Sequence, residues 1–225
     1  TLEAWGRHAK NRLMRFDSPD GPGAGLLLGL STGDRSGLSR RTREAFSGVG
    51  LAHLTAVSGY HVGLVLWMVS LWLRLLVGRR WVALMATPAV WVFVLICGAP
   101  PSAVRAAGMA TWLGGGVAFG RRLVGLSVLA VVGLFLLACS PWLVHDLGAR
   151  LSFSATAGIL LWYQSREIRR GWIRMALAIP LVATAFTAPF TLPVFGRFPT
   201  AFLPANLLAT PVVPLLSLSL IHISE

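Results

Sequence analysis

His53, Ser58 and His61 fall within the stretch LAHLTAVSGYHVGL, residues 51–64, at the front of a strongly apolar run. Ser58 and His61 are three positions apart, so on a helix their side chains can meet, as a serine nucleophile and its base must. That chemistry would be an intramembrane serine hydrolase. A Ser–His pair also needs an orienting third group and an oxyanion hole, and neither is visible in the sequence. The competing readings are helix packing with a kink at Gly59 and a polar lining for a transported ligand. The five histidines show no HxxxH or HxH spacing and no carboxylate cluster accompanies them, so neither a metal site nor a cofactor is expected. No phosphate-cradling Walker motif is present either, and the chain is not expected to be an enzyme.

Arg105 and Arg150 offer a different chemistry, the binding of anions. Arg105 follows Pro100-Pro101-Ser102 and Arg150 follows His145-Asp146, each at the expected start of a helix. A helix N-terminus carries roughly half a positive charge, and beside an arginine it favours an anion. The alternative is an arginine that snorkels to an interface and holds no ligand.

The elements that must position these residues are set by composition. Charged residues make up 12% of the chain, against about 25% for soluble domains, and long apolar runs alternate with short basic breaks. The expected class is all-α, a polytopic helical membrane bundle with kinked or discontinuous helices. A span needs about 17 to 25 mostly apolar residues to cross a hydrocarbon core about 30 Å thick. Seven candidates fall near 51–77, 81–97, 102–119, 123–139, 146–163, 172–195 and 200–220. The last two contain Pro180, Pro189, Pro193, Pro204, Pro211 and Pro214 and are expected to bend or break, which lipid tolerates only where protein or a wet cavity satisfies the freed backbone. In the third span Ala110, Gly114 and Ala118 recur every four residues, the spacing for close helix packing. That helix is expected at the centre of the bundle, with Arg105 drawn inward.

The loops suggest an orientation. Arg79-Arg80, Arg121-Arg122 and Arg166, Arg169 and Arg170 occupy alternate loops, which the positive-inside bias makes cytoplasmic. The N-terminal segment is then extracytoplasmic, and His53, His61, Arg105, Arg150 and Asn206 share the outer leaflet. Residues 1–50 read as a basic amphipathic segment leading into a membrane domain at 51–220. Within it Trp5 to Phe16 can lie on the outer surface and bind lipid or gather a polyanion. Thr1 is not an initiator methionine and no signal peptide is evident, so the chain is expected to begin inside a longer protein. Cys97 and Cys139 both end helices on the outer side. A disulfide is possible there, but free thiols are the expectation.

Four blocks carry a family resemblance: residues 33–64, GAPPSAVRAAGMA (98–110), DLGARLSFSATAGIL (146–160) and FGRFPTAFLPANLLATPVVP (195–214). In this order they resemble the membrane competence domain of the ComEC family, the bacterial DNA internalisation proteins of natural transformation. The resemblance implies a channel for one strand of DNA across the bacterial cytoplasmic membrane, with single-stranded DNA, membrane lipid, and the DNA-receptor and helicase proteins of the competence machinery as partners. A small-anion transporter is the alternative. The motif residues are His53, Ser58, Gly59, His61, Pro101, Ser102, Arg105, Asp146, Ser152, Asn206 and Pro211. Tyr60 stands where the family more usually has Leu, and Ala149-Arg150 where it often has an aromatic-Gln pair, so Arg150 is a local feature added to that set. Full-length relatives commonly add an OB-like domain and a metallo-β-lactamase-like nuclease domain. The HxHxDH signature of the latter is absent here, which implies binding or conduction of DNA and not cleavage. The terminal SLSLIHISE leaves the family pattern, and residues 221–225 are read as a non-native tail.

Overall fold

A computed structural model of the protein describes residues 48, 58–164, 172–196 and 201–208. Ser58–Gly196 forms one compact unit, and Thr1–Val57 with Arg197–Glu225 groups as a second. In the first unit α1 is Gly59–Leu73, α2 Val82–Met85, α3 Thr87–Ile96, α4 Pro101–Ala118, α5 Gly125–Cys139, α6 Leu147–Gln164 and α7 Trp172–Phe195. A 3-10 turn, Pro141–Val144, precedes α6. No strand occurs among the described residues, and the class is all-α. In the second unit residues 202–208 are helical, and the Asn206 side-chain amide donates to the Phe202 carbonyl at 2.7 Å.

Glycine and proline set the helix boundaries. α3 ends in a Schellman motif: Gly98 takes a φ of 77°, the Gly98 N–H reaches the Leu95 carbonyl at 3.1 Å, and the Ala99 N–H reaches Val94 at 2.9 Å. Pro100 and Pro101 then open α4, because a proline in the first turn forfeits only an N–H that has no helical acceptor. α4 ends the same way, with Gly120 at a φ of 69° and the Arg121 N–H on the Gly116 carbonyl at 2.7 Å. Between α2 and α3 the helix is interrupted at Ala86. Pro88 cannot donate to the Leu84 carbonyl, and the Thr87 hydroxyl does so instead at 2.7 Å.

α4 is the hub of the unit and packs against α1, α2, α3, α5 and α6, while α7 packs along α6. Its buried stripe is Ala103, Ala107, Gly114 and Ala118. Ala110 is only half-buried, so the small-residue face runs through Ala107 rather than Ala110. A Cβ on Gly114 would sit 3.1 Å from the Ala83 carbonyl carbon, so the α2 backbone lies directly on α4. The Trp91 indole N–H ties α3 to α4 by donating to the Thr111 hydroxyl at 3.1 Å.

The distribution of apolar residues is inverted relative to a soluble domain. The buried apolar residues are small or medium: Val62, Val82, Ala86, Val90, Val94, Ala103, Ala107, Ala118, Val128, Leu129, Val132 and Ala149. Large ones face outward, among them Trp72 at 72% exposure, Leu134 at 69% and Phe135 at 65%.

Several expectations change. Among the described residues only Arg174–Phe195 is long and apolar enough by itself to cross a membrane; Gly59–Leu73, Val82–Ile96 and Gly125–Cys139 are shorter. The first expected span began at residue 51, but α1 starts at Gly59 because Ser58 is extended, with φ −115° and ψ 170°. Of the bend or break expected in the sixth span, a break does not occur: α7 runs continuously through Pro180, Pro189 and Pro193. Hydroxyl donors add bonds to other carbonyls along the same helix. Thr187 donates to the Ala183 carbonyl at 2.9 Å, Thr191 to Thr187 at 3.2 Å, and the Ser154 hydroxyl of α6 to Phe186. One expectation holds: Cys97 and Cys139 are both free thiols. His53, Pro211 and residues 221–225 lie outside the described residues, as do residues 1–50 apart from Gly48 and most of the seventh expected span.

Candidate functional site

Ser58 and His61 do meet, in a helix cap. Ser58 is the N-cap of α1 and His61 its third residue, with the Ser58 N–H donating to His61 Nδ1 at 3.2 Å. Ser58 Oγ lies 3.2 Å from the same nitrogen. This is a capping box in which histidine takes the usual place of Glu or Gln. A ring that accepts at Nδ1 carries its proton on Nε2. His61 is buried, and its ring meets Tyr60 edge-on at 5.8 Å between centroids.

Arg105 is the second element of the site. It rises from the second turn of α4 and is 7% exposed. Nη1 donates to the Ser152 carbonyl of α6 at 2.9 Å and to the Thr156 hydroxyl, which itself donates to the Ser152 carbonyl at 2.8 Å. The guanidinium carbon lies 5.8 Å from the Phe153 ring centroid, a cation–π distance. Nε is buried without a hydrogen-bond partner. Nη2 points to α1: a Cβ on Gly59 would sit 3.2 Å from it and 3.4 Å from the Ala106 Cβ. The first turn of α1, the second turn of α4 and the middle of α6 therefore converge on one guanidinium.

None of its partners is an acid. Asp146 is the one carboxylate among the described residues, and it serves as the N-cap of α6, its Oδ1 accepting the Ala149 N–H at 2.6 Å. Taking a charge out of water is costly unless it is paired and hydrogen-bonded, and here only neutral oxygens and a ring face balance it.

Arg150 and Pro101 have other roles in the same unit. Arg150 is exposed and its Nε donates to the Val144 carbonyl. It braces the 3-10 turn before α6 and does not join Arg105, because it lies on the opposite side of the helix start from Ser152. Pro101 opens α4, Ser102 follows it half-buried, and Asn206 belongs to the second unit. Thr156 and Phe153 were not among the residues singled out from the sequence. Their signal was available in SFSAT, where Ser152 and Thr156 share a helix face four residues apart.

A family model described as competence protein matches residues 30–224. The chain belongs to the competence protein family. Over 202 residues it is 26% identical to ComE operon protein 3 of Bacillus subtilis (strain 168), covering 89% of this chain and 25% of that protein. Over 218 residues it is 25% identical to the uncharacterized protein YcaI of Escherichia coli (strain K12), covering 89% of this chain and 28% of that protein. The chain thus spans roughly a quarter of the length of these curated relatives. No solved structure matches it.

Proposed function

We propose that this competence-family chain is part of a multi-pass membrane domain that conducts single-stranded DNA across the bacterial cytoplasmic membrane during natural transformation. The observation that carries the reading is Arg105, a buried cation held by neutral groups alone inside a helical unit whose large apolar side chains face outward. An inverted apolar distribution suits lipid as the outer solvent. A polyanion crossing such a unit needs fixed positive charge along its path, and Arg105 supplies it where no described carboxylate competes.

In this reading the domain conducts DNA and does not cleave it. His61 Nδ1 is occupied by the Ser58 N–H, and Asp146 is committed to its own helix cap, so the Ser58–His61 contact serves the fold. The Arg-rich loops face the cytoplasm and the N-terminal segment lies outside. DNA-receptor proteins would deliver the strand on the outer face, and a helicase would receive it inside.

The test is uptake of labelled DNA by transformable cells carrying the full-length parent protein. Arg105→Ala or His61→Ala abolishes internalised, nuclease-protected label while protein levels hold. Wild-type uptake in both variants would refute the assignment.

A further inference from the structure

We infer that Arg105 and the N-terminus of α1 together form a seat for a phosphate oxyanion. The inference rests on the channel reading only for the source of the phosphate, which would be the backbone of single-stranded DNA.

Two positive features have been brought together. α1 is 15 residues long and its first turn leaves the Gly59 and Tyr60 N–H groups without intrahelical acceptors. The aligned peptide dipoles place roughly half a positive charge at that end. Against it lies Arg105 Nη2, so close that Gly59 leaves just enough room. Like charges this near repel, and no described carboxylate lies between them. Nη1 is anchored on Ser152 and Thr156, which fixes the guanidinium plane, while Nε remains buried and unpartnered. A tetrahedral anion at the helix end would accept from the first-turn N–H groups and neutralise both charges. The Ser58–His61 cap keeps the site neutral on its other side by holding His61 Nδ1 as an acceptor.

Gly59 is part of the device. A methyl group there would stand 3.2 Å from Nη2 and oblige the guanidinium, anchored through Nη1, to shift slightly without altering any charge.

The experiment uses the full-length protein in lipid nanodiscs and a fluorescent oligothymidylate, with inorganic phosphate as competitor. Wild type is expected to bind the oligonucleotide, to lose it to inorganic phosphate, and to bind a charge-neutral methylphosphonate analogue far less well. Arg105→Gln weakens binding about tenfold or more and makes the salt dependence shallower by about 0.7 in log–log slope, the share of one phosphate contact on a single strand. Gly59→Ala gives a loss in the same direction with charge unchanged, and Arg105→Lys recovers part of the affinity. If Arg105→Gln binds oligonucleotide and phosphate with wild-type affinity and slope, the seat is overturned while DNA conduction can stand. Arg105-dependent binding of inorganic phosphate without oligonucleotide binding upholds the seat and removes the DNA reading. Arg105-dependent competition by phosphatidylglycerol in the nanodisc also upholds the seat and names a lipid headgroup as its occupant.

Discussion

Gly158 offers a quantitative test of the packing that holds Arg105 in place. It lies on α6, one half-turn beyond Thr156, and faces Phe186 of α7. A Cβ added there would fall 2.5 Å from Phe186 Cγ, 2.6 Å from Cδ2 and 3.0 Å from Cβ. Carbon atoms in contact prefer about 3.5 to 4.0 Å, so Gly158→Ala overlaps three atoms at once. One of them, the Cβ, cannot swing away by side-chain rotation. Overpacking of this kind costs about 1 to 3 kcal/mol. Alanine also gains roughly 0.8 to 1 kcal/mol of helix propensity over glycine, which conceals part of the clash. Gly115→Ala on α4 is the reference, because a Cβ there meets nothing within 4 Å and the variant reports propensity alone. In denaturant titrations of the reconstituted protein, followed by tryptophan fluorescence, Gly158→Ala should be less stable than Gly115→Ala by about 1 to 3 kcal/mol. Adding Phe186→Ala should recover most of the difference, as a coupling energy between touching residues. Equal stability of the two alanine variants, or simple additivity with Phe186→Ala, would show that α6 and α7 do not meet face to face here.

Two further outcomes follow from the cap and from the outward apolar surface. Ser58→Ala or His61→Leu should cost about 0.5 to 2 kcal/mol by removing the α1 cap, whereas His61→Gln, with an acceptor suited to a capping box, should retain most of it; a fluorophosphonate that labels Ser58 would instead make the pair catalytic. In single-tryptophan variants, brominated acyl chains should quench Trp67, Trp72 and Trp112, which are 56%, 72% and 53% exposed, more strongly than half-buried Trp91. Equal quenching at all four positions would contradict the lipid-facing surface.

Apolar run length located the helices well and their breaks poorly, for a physical reason. Apolar length is a property summed over about 20 residues, so it survives local detail, and the cores of the first six expected spans are all helical. A break depends on single hydrogen bonds. Ser58 ends the expected continuity of the first span because His61 accepts its N–H, a capping box hidden by histidine standing in for Glu. Pro88 interrupts the second span, with Thr87 answering the carbonyl it frees. Three prolines in α7 fail to interrupt it, and threonines and Ser154 meet neighbouring carbonyls there. Proline count alone does not separate these outcomes. The same holds at the site. Arg105 was visible as a cation on a close-packing helix, but its partners are a backbone carbonyl, a threonine hydroxyl and a ring face. Such partners carry no charge pattern for a sequence to display.

The break at Ser58 and the burial of Arg105 are two consequences of one arrangement. At about 1.5 Å per residue, the 15 residues of α1 reach about 22 Å, short of the roughly 30 Å that a hydrocarbon core requires. A helix start leaves its first N–H groups without intrahelical acceptors, and where water is excluded these must be met within the protein. The Ser58–His61 cap meets only part of that demand. What remains is a positively polarised backbone end, and α4 turns Arg105 toward it across Gly59. A fold selected for stability alone would place an acid at that point, as Asp146 sits at the start of α6. Arg105 is held by neutral oxygens and a ring face beside this positively polarised end, and an anion accepting from both would be stabilised by each, which makes the first turn of α1 part of the proposed seat.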